Sequence, residues 1–348
     1  MRKIKVFLGG YVNYSNAQNL NCSAIAKNLD KDKFKIYTLE VYFGKGHSVS
    51  YNTFFCFWPF RLTRHLGYLW GLIHSDVLYL PKNLDTPIWL LKLANFLKKP
   101  IFTTIEGKVI DINEPDHNLI NLFGSLERMR SHFVYFNAIY AITGNIIQSS
   151  NQTIKMQDNP LFLGVDFEDY SNCIKKGLSS IIFVGSLTKR KRVDEFIKLA
   201  SFFPMLDFKI VGDGVEKERF KSLATNNITF LGALEHTKIN DVFLKSDLMF
   251  LPAKSEGFPK VILEAAASGT PCVVYNTYGA NEWITNNLDG FVVSNFEEVK
   301  DIIVRLIDEP QRLETISSNS VILASKYDWK VLIKDWEKVI EHLFDEHY

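Results

Sequence analysis

The stretch SIIFVGSLTKRKRVDEFIKLASFFPMLDFKIVGDG, residues 180–214, decides the fold. SIIFVGS (180–186) is an unbroken apolar run that ends in glycine, and it is too short for a helix. A run of that kind reads as a strand buried on both faces. VDEFIKLASFF (193–203) spaces its apolar residues as one face of a helix and opens with two acids, as helix starts do. DFKIVGDG (207–214) is a second apolar run closed by glycines. Strand, short helix, strand is the repeating unit of a parallel sheet covered by helices.

The alternation continues both ways. Toward the C-terminus come EKERFKSLAT (216–225), NITFLGAL (227–234), HTKINDVFLKS (236–246), DLMFLPA (247–253), FPKVILEAAASG (258–269) and TPCVVYN (270–276), with an amphipathic helix from Trp329 to Phe344. Toward the N-terminus, IKVFLGG (4–10), FKIYTLEVY (34–42), DVLYL (76–80), PIFTTIEG (100–107) and AIYAITG (138–144) read as strands. Helices are predicted over 17–29 and 86–97, and one long helix over 119–136. The length of 348 residues fits two domains. The polar segment 157–178, rich in Asp, Asn, Pro, Gly and Ser, reads as their connector.

Composition excludes several classes. Apolar residues at 47% and charged residues at 23% are those of a packed globule, not a disordered or collagenous chain. Lys plus Arg number 40 against 39 Asp plus Glu, for a net charge of +1, so the basic excess of a phosphate-gripping nucleic-acid binder is missing. Cysteines at 22, 56, 173 and 272 are far apart with no CxxC. That argues against a zinc site or a disulfide framework and for a reducing, cytoplasmic setting. The eight histidines, at 47, 65, 74, 117, 132, 236, 342 and 347, have no metal-ligand spacing, and no metal is expected. Asp30-Lys31-Asp32 sits in a charged turn rather than a metal-binding loop.

The start, MRKIKVFLGGYVNYSN, lacks the long apolar region of a signal peptide, and no uncharged apolar run reaches 18 residues. FFCFWPFRLTRHLGYLWGLIH (54–74) keeps two readings open: a buried strand, loop and helix, or a basic and aromatic helix lying on a membrane surface.

In open parallel sheets ligands bind beyond the C-terminal strand ends. Two segments there carry candidate chemistry. SEGFPKVILEAAASGTPCVV (255–274) puts Glu256 in a glycine-containing loop, Pro259 at the first helical turn, Glu264 on the helix and Gly269 as its cap. Free amides at such a helix start suit an anion. The carboxylates could accept hydroxyls of a sugar and a ribose either side of a phosphate, or be a dipole-paired charge and a solvated face. FVGSLTKRKRVDEFI (183–197) sets Lys189, Arg190, Lys191 and Arg192 before a helix start, where cations cost about 0.3–1 kcal/mol each. A bound pyrophosphate would reverse that sign; a solvated basic turn is the alternative.

Together these segments resemble the family 4 glycosyltransferases. The resemblance rests on the E-x7-E element, Glu256 and Glu264, with FVGSLTKRKRVD, KIVGDGVEKERFKSLA, NITFLGAL and YDWKVLIKDWEKVI in that order. It is good from about residue 160 onward and fainter before, where FLGG and PIFTTIEG match. It implies the GT-B fold: two Rossmann-like domains facing across a cleft, an acceptor-binding domain at 1–165, a nucleotide-sugar-binding domain at 166–329, and a C-terminal helix (330–348) crossing back to the first domain. It implies a retaining transfer of a hexosyl type from a nucleotide-diphosphate sugar, UDP- or GDP-linked, with no cofactor. The acceptor would be a glycan, on a surface polysaccharide or a lipid carrier, at the inner membrane face.

Carried over by position, Glu264 would hold the ribose and Glu256 the donor sugar. Lys191 and Arg190 would hold the diphosphate. Gly257, Phe258, Pro259, Lys260 and Val261 would meet sugar and phosphate. Gly10 would let the backbone approach the diphosphate, and Gly212 and Leu234 would wall the base. Two positions depart from the family pattern. Ser186 stands where an arginine is usual. Glu106 stands where a histidine is usual, and would orient donor hydroxyls or serve as acceptor base. These departures keep two other readings in view: a non-catalytic GT-B subunit binding nucleotide or partner, and a sugar-nucleotide epimerase.

Overall fold

The computed structural model describes residues 2–14, 16–44, 51–110, 118–150 and 153–348. His47 and His117, among the histidines weighed above as ligands, lie outside them. The chain forms two compact units. One takes the described residues up to Leu163 together with Trp329–Tyr348, and the other takes Gly164–Asp328.

The first unit runs β1 (Ile4–Tyr11), α1 (Ala17–Asn28), β2 (Phe34–Val41), β3 (Asn52–Cys56), α2 (Phe60–His74), β4 (Val77–Tyr79), α3 (Ile88–Phe96), β5 (Ile101–Ile105), α4 (Leu119–Phe123), α5 (Leu126–Phe133), β6 (Ala138–Ala141) and α6 (Gly144–Ser150). Its six strands lie in the order β3-β2-β1-β4-β5-β6, all parallel. The apolar runs are central strands: Val6, Phe7, Leu8, Leu78 and Phe102 are wholly buried. The long helix expected over 119–136 is two helices. Gly124 takes φ 79°, a left-handed turn that ends α4, and the Ser125 hydroxyl then accepts the Arg128 amide to start α5.

The second unit runs β7 (Ser180–Val184), α7 (Val193–Phe202), β8 (Asp207–Val211), α8 (Lys217–Leu223), β9 (Ile228–Gly232), α9 (Ile239–Leu244), β10 (Leu248–Leu251), α10 (Lys260–Ala267), β11 (Cys272–Tyr275), β12 (Phe291–Val293), α11 (Phe296–Asp308) and α12 (Pro310–Lys326). The sheet order is β12-β11-β10-β7-β8-β9, again parallel. Each sheet reverses direction beside its first strand, at β1/β4 and at β7/β10. Those are the crevices where a doubly wound sheet takes its ligand. In α10, Pro259 precedes the helix as its N-cap instead of occupying the first turn, because the first helical residue is Lys260.

The last helix, α13 (Trp329–Asp345), belongs to the first unit. Trp329, Ile333, Trp336, Ile340 and Leu343 recur every three or four residues and are buried, forming one stripe. Trp336 is wholly buried against Tyr79, with ring centroids 5.1 Å apart, and its indole N–H donates to the Phe162 carbonyl at 3.1 Å. The fixed indole and its satisfied donor anchor the helix to β4.

Candidate functional site

In the second unit the β7/β10 crevice is walled by the turn after β7 and the loop before α10. Val184 is the last residue of β7, and the chain leaves through Gly185 and exposed Ser186 into a short 3-10 turn, Lys189–Lys191. Gly212 holds neighbouring loops close. At φ 141°, a Cβ there would lie 1.9 Å from the Gly185 carbonyl oxygen, and its own amide donates to the Gly232 carbonyl at 2.8 Å. The ends of β7, β8 and β9 are thereby drawn together, with Leu234 half-buried just beyond.

The basic turn and the glutamate loop meet. Lys191 Nζ lies 2.5 Å and Arg190 Nη1 2.9 Å from the same oxygen, Oε1 of Glu256. Arg190 Nη1 also donates to the Ser255 carbonyl at 2.7 Å, which fixes the guanidinium over the loop. The Glu256 oxygen is buried, and neither cation contact has hydrogen-bond geometry. The carboxylate is therefore held between two cations. Lys189 points to solvent, and Arg192 pairs with Glu195.

Below this triad, Phe258 and Pro259 are buried, with Phe258 packed edge-on against Trp283 at 5.2 Å, while Gly257, Lys260 and Val261 are half-buried. Glu264 is one turn into α10. Its Oε1 receives His236 Nε2 at 3.4 Å, and His236 meets the Tyr170 hydroxyl at 3.3 Å. The hydrogen bond to Glu264 raises the His236 pKa above its ordinary value, against a smaller opposing effect of burial. Among the described residues, neither the Tyr278 hydroxyl, 1% exposed, nor the Trp283 indole N–H has a hydrogen-bond partner. Burial, and next the Glu256 charge, hold the Tyr278 phenol well above the usual tyrosine range, so it is a neutral donor.

Of the residues expected from sequence, this crevice thus gathers Lys191, Arg190, Glu256, Glu264 and the 257–261 loop, with Ser186, Gly212 and Leu234 on the adjoining strand ends. Gly10 and Glu106 belong to the first unit. A Cβ on Gly10 would lie 2.7 Å from Cys22 Sγ, so the close packing of α1 on β1 by itself requires a glycine. Glu106 follows β5 directly and accepts the Asn21 amide at 3.3 Å. His236, Tyr170, Tyr278 and Trp283 were not expected. His236 and Tyr278 lie three or four residues past the ends of β9 and β11, and the strand-end rule would have found them; nothing in the connector sequence marked Tyr170. Among the described residues, no three His, Cys, Asp or Glu side chains gather as they would around a metal ion.

The segment 54–74 forms β3, a turn and α2. Trp58 (77%), Leu62 (58%) and Leu66 recur four residues apart and are exposed, as are Phe55, Phe57 and Arg61. The segment is therefore not simply buried. No helix among the described residues is long and apolar enough to cross a membrane.

Residues 166–321 match the family described as glycosyl transferases group 1. An uncharacterized glycosyltransferase of Haemophilus influenzae is 28% identical over 213 residues, 57% of this chain and 56% of that one. The Escherichia coli UDP-Gal:alpha-D-GlcNAc-diphosphoundecaprenol alpha-1,3-galactosyltransferase is 30% identical over 173 residues, 42% and 44% of the two chains. The chain spans about half the length of the curated relatives it matches. Among solved structures, Anabaena HepE in complex with UDP and glucose superposes with a TM-score of 0.75 at 18% identity, over 98% of this chain and all of that one. Sucrose-phosphate synthase of Thermosynechococcus elongatus gives a TM-score of 0.82 at 13% identity, over 99% of this chain and 100% of its own. These likenesses show the fold, and the fold is GT-B.

Proposed function

We propose that this chain, whose residues 166–321 match the glycosyl transferases group 1 family, moves a sugar from a nucleotide-diphosphate donor to a glycan or lipid-linked acceptor. The observation that carries the reading is the meeting of Lys191 and Arg190 with Glu256 in the β7/β10 crevice. A departing nucleoside diphosphate develops negative charge as its bond to the anomeric carbon breaks. Two fixed cations beside the start of α10 oppose that charge, which is the kind of preorganised stabilisation that lowers such barriers most.

The diphosphate takes the cations from Glu256, whose freed carboxylate then accepts donor-sugar hydroxyls. Glu264 accepts the ribose hydroxyls, exchanging its bond from His236 for them. Phe258, Lys260 and Val261 supply loop and helix-start amides, and Gly212 and Leu234 flank the base. Retention and a hexosyl donor rest on the family resemblance. Ser186 lacks the usual cation, and Arg190, already anchored by the Ser255 carbonyl, takes its place. In the first unit, Glu106 stands beside a cavity of its own and serves the acceptor, as a base or by orienting hydroxyls.

A lipid-linked acceptor resides at a membrane. Trp58, Leu62 and Leu66 with Arg61 offer an apolar face with a cation, suited to an anionic lipid surface on the cytoplasmic side. The donor assignment is tested by incubating the protein with UDP- and GDP-sugars and measuring free nucleotide. Release by the native chain and its near-loss in Lys191→Ala, in a variant that still unfolds cooperatively at a melting temperature only a few degrees lower, supports the reading. Release that persists in Lys191→Ala overturns it.

A further inference from the structure

The β1/β4 switch point of the first unit holds a cavity of about 370 Å³, lined among others by Gln18, Lys82, Asn83, Thr104, Glu106 and Leu122. A volume of that order takes a monosaccharide-sized ligand. Lys82 lies three residues past β4 and is 7% exposed. It has no ion pair among the described residues; its ammonium sits over the Tyr11 ring, 4.3 Å from the centroid.

Among the described residues, the groups around it that could offer a counter-charge are otherwise committed. Asp85 pairs with Arg64 at 3.0 Å. Burial pushes the Cys22 thiol up to about 12 and the Cys56 thiol up to about 11, so both are neutral. The Tyr11 phenol is raised as well, chiefly by burial. Glu106 lines the same cavity and takes the Asn21 amide, but it is not within ion-pair distance of Lys82. Burial of the ammonium is costly and lowers its pKa, and a cation–π contact returns only part of that cost. Among the described residues, the cavity thus holds a cation without an ion pair beside a carboxylate and two amides.

We propose that this cavity binds the acceptor through an anionic oxygen group, a phosphate or a carboxylate carried by the sugar, which Lys82 holds while Glu106, Asn83 and Gln18 take its hydroxyls. This rests on the transferase reading for the word acceptor; the binding itself does not. A neutral sugar offers Lys82 no counter-charge, whereas a charged one forms the ion pair that the described residues do not supply.

The test is titration calorimetry of the full chain with three probes: methyl glucoside, methyl glucuronide and glucose 6-phosphate. We expect at least one anionic probe to bind tenfold or more tightly than methyl glucoside. Lys82→Met should erase that preference and Lys82→Arg should keep it, while UDP and GDP affinities stay unchanged in both. The anion that wins identifies carboxylate or phosphate. Equal binding of neutral and charged probes to the native chain, binding of none, or a preference that survives Lys82→Met would each overturn the proposal. The first two outcomes need no variant to fold. If neither UDP nor GDP binds while the anionic preference is present, the transferase reading fails and this site stands.

Discussion

Glu256→Gln separates the two jobs that the structure gives one carboxylate. In the native chain its Oε1 is the counter-ion of Lys191 at 2.5 Å and Arg190 at 2.9 Å, with the three side chains 9%, 11% and 28% exposed. An ion pair near 4 Å is worth about 4 kcal/mol at an effective dielectric of about 20 before desolvation is charged against it. Removing one partner of a well-buried pair costs about 3–5 kcal/mol. Arg190 still reaches water and the Ser255 carbonyl, so we expect about 2 kcal/mol, which lowers the melting temperature by about 4–8 °C for a unit of this size. Affinity for the free nucleoside diphosphate should move the other way. The two cations are already vacated, and about 1.4 kcal/mol recovered is a tenfold gain. Turnover should fall, since the amide accepts sugar hydroxyls less strongly. Scanning calorimetry, nucleotide titration and a release assay read the three quantities. A variant that is as stable as the native chain, or one that loses nucleotide affinity along with stability, would refute the reasoning.

Glu264→Ala should weaken UDP- or GDP-sugar binding by about 30-fold, the worth of hydrogen bonds to a charged acceptor at about 2 kcal/mol; titration reads it, and unchanged affinity removes the ribose role. His236 has a folded pKa above its ordinary 6.5, caused first by the Glu264 hydrogen bond, with Lys260 opposing and Asp169 assisting. Its pairing is therefore fully present below pH 6.5 and fades as pH rises through the raised value. Because that pairing occupies Glu264, nucleoside affinity should increase across the same range, and His236→Gln should flatten the difference in titrations at pH 6 and pH 8. Arg61→Glu with Trp58→Ser should abolish co-sedimentation with anionic vesicles while leaving nucleotide affinity intact; undiminished sedimentation would remove the membrane surface from the description. Trp336→Ala should destabilise the first unit by about 3–5 kcal/mol, read by denaturant unfolding, since it empties the centre of the α13 stripe.

The strands were legible because each is an apolar run closed by glycine or a polar turn, and the parallel class followed from their alternation with helices. Sheet order was not legible: nothing in SIIFVGS says that it pairs with DLMFLPA on one side and DFKIVGDG on the other. It is that order which makes β7/β10 a crevice and brings Lys191 to Glu256 across 65 residues of chain. The break between α4 and α5 was missed because leucine and phenylalanine spacing continues across Gly124, whereas the backbone there turns left-handed. Nothing in PKNLD marks Lys82; its setting depends on Cys22 in α1, Cys56 in β3 and Arg64 in α2, which takes Asp85 of the same loop. Glu106 stood out in sequence only as a departure from a family pattern, and the structure supplies its neighbours Asn21 and Asn83.

The most direct measurement is a crystal structure of the chain soaked with UDP or GDP. Phosphate oxygens within hydrogen-bond reach of Lys191 Nζ and Arg190, with Glu256 swung off both cations and Glu264 on the ribose, is the predicted result. Nucleotide bound elsewhere, while Lys191 and Arg190 keep Glu256, would contradict it.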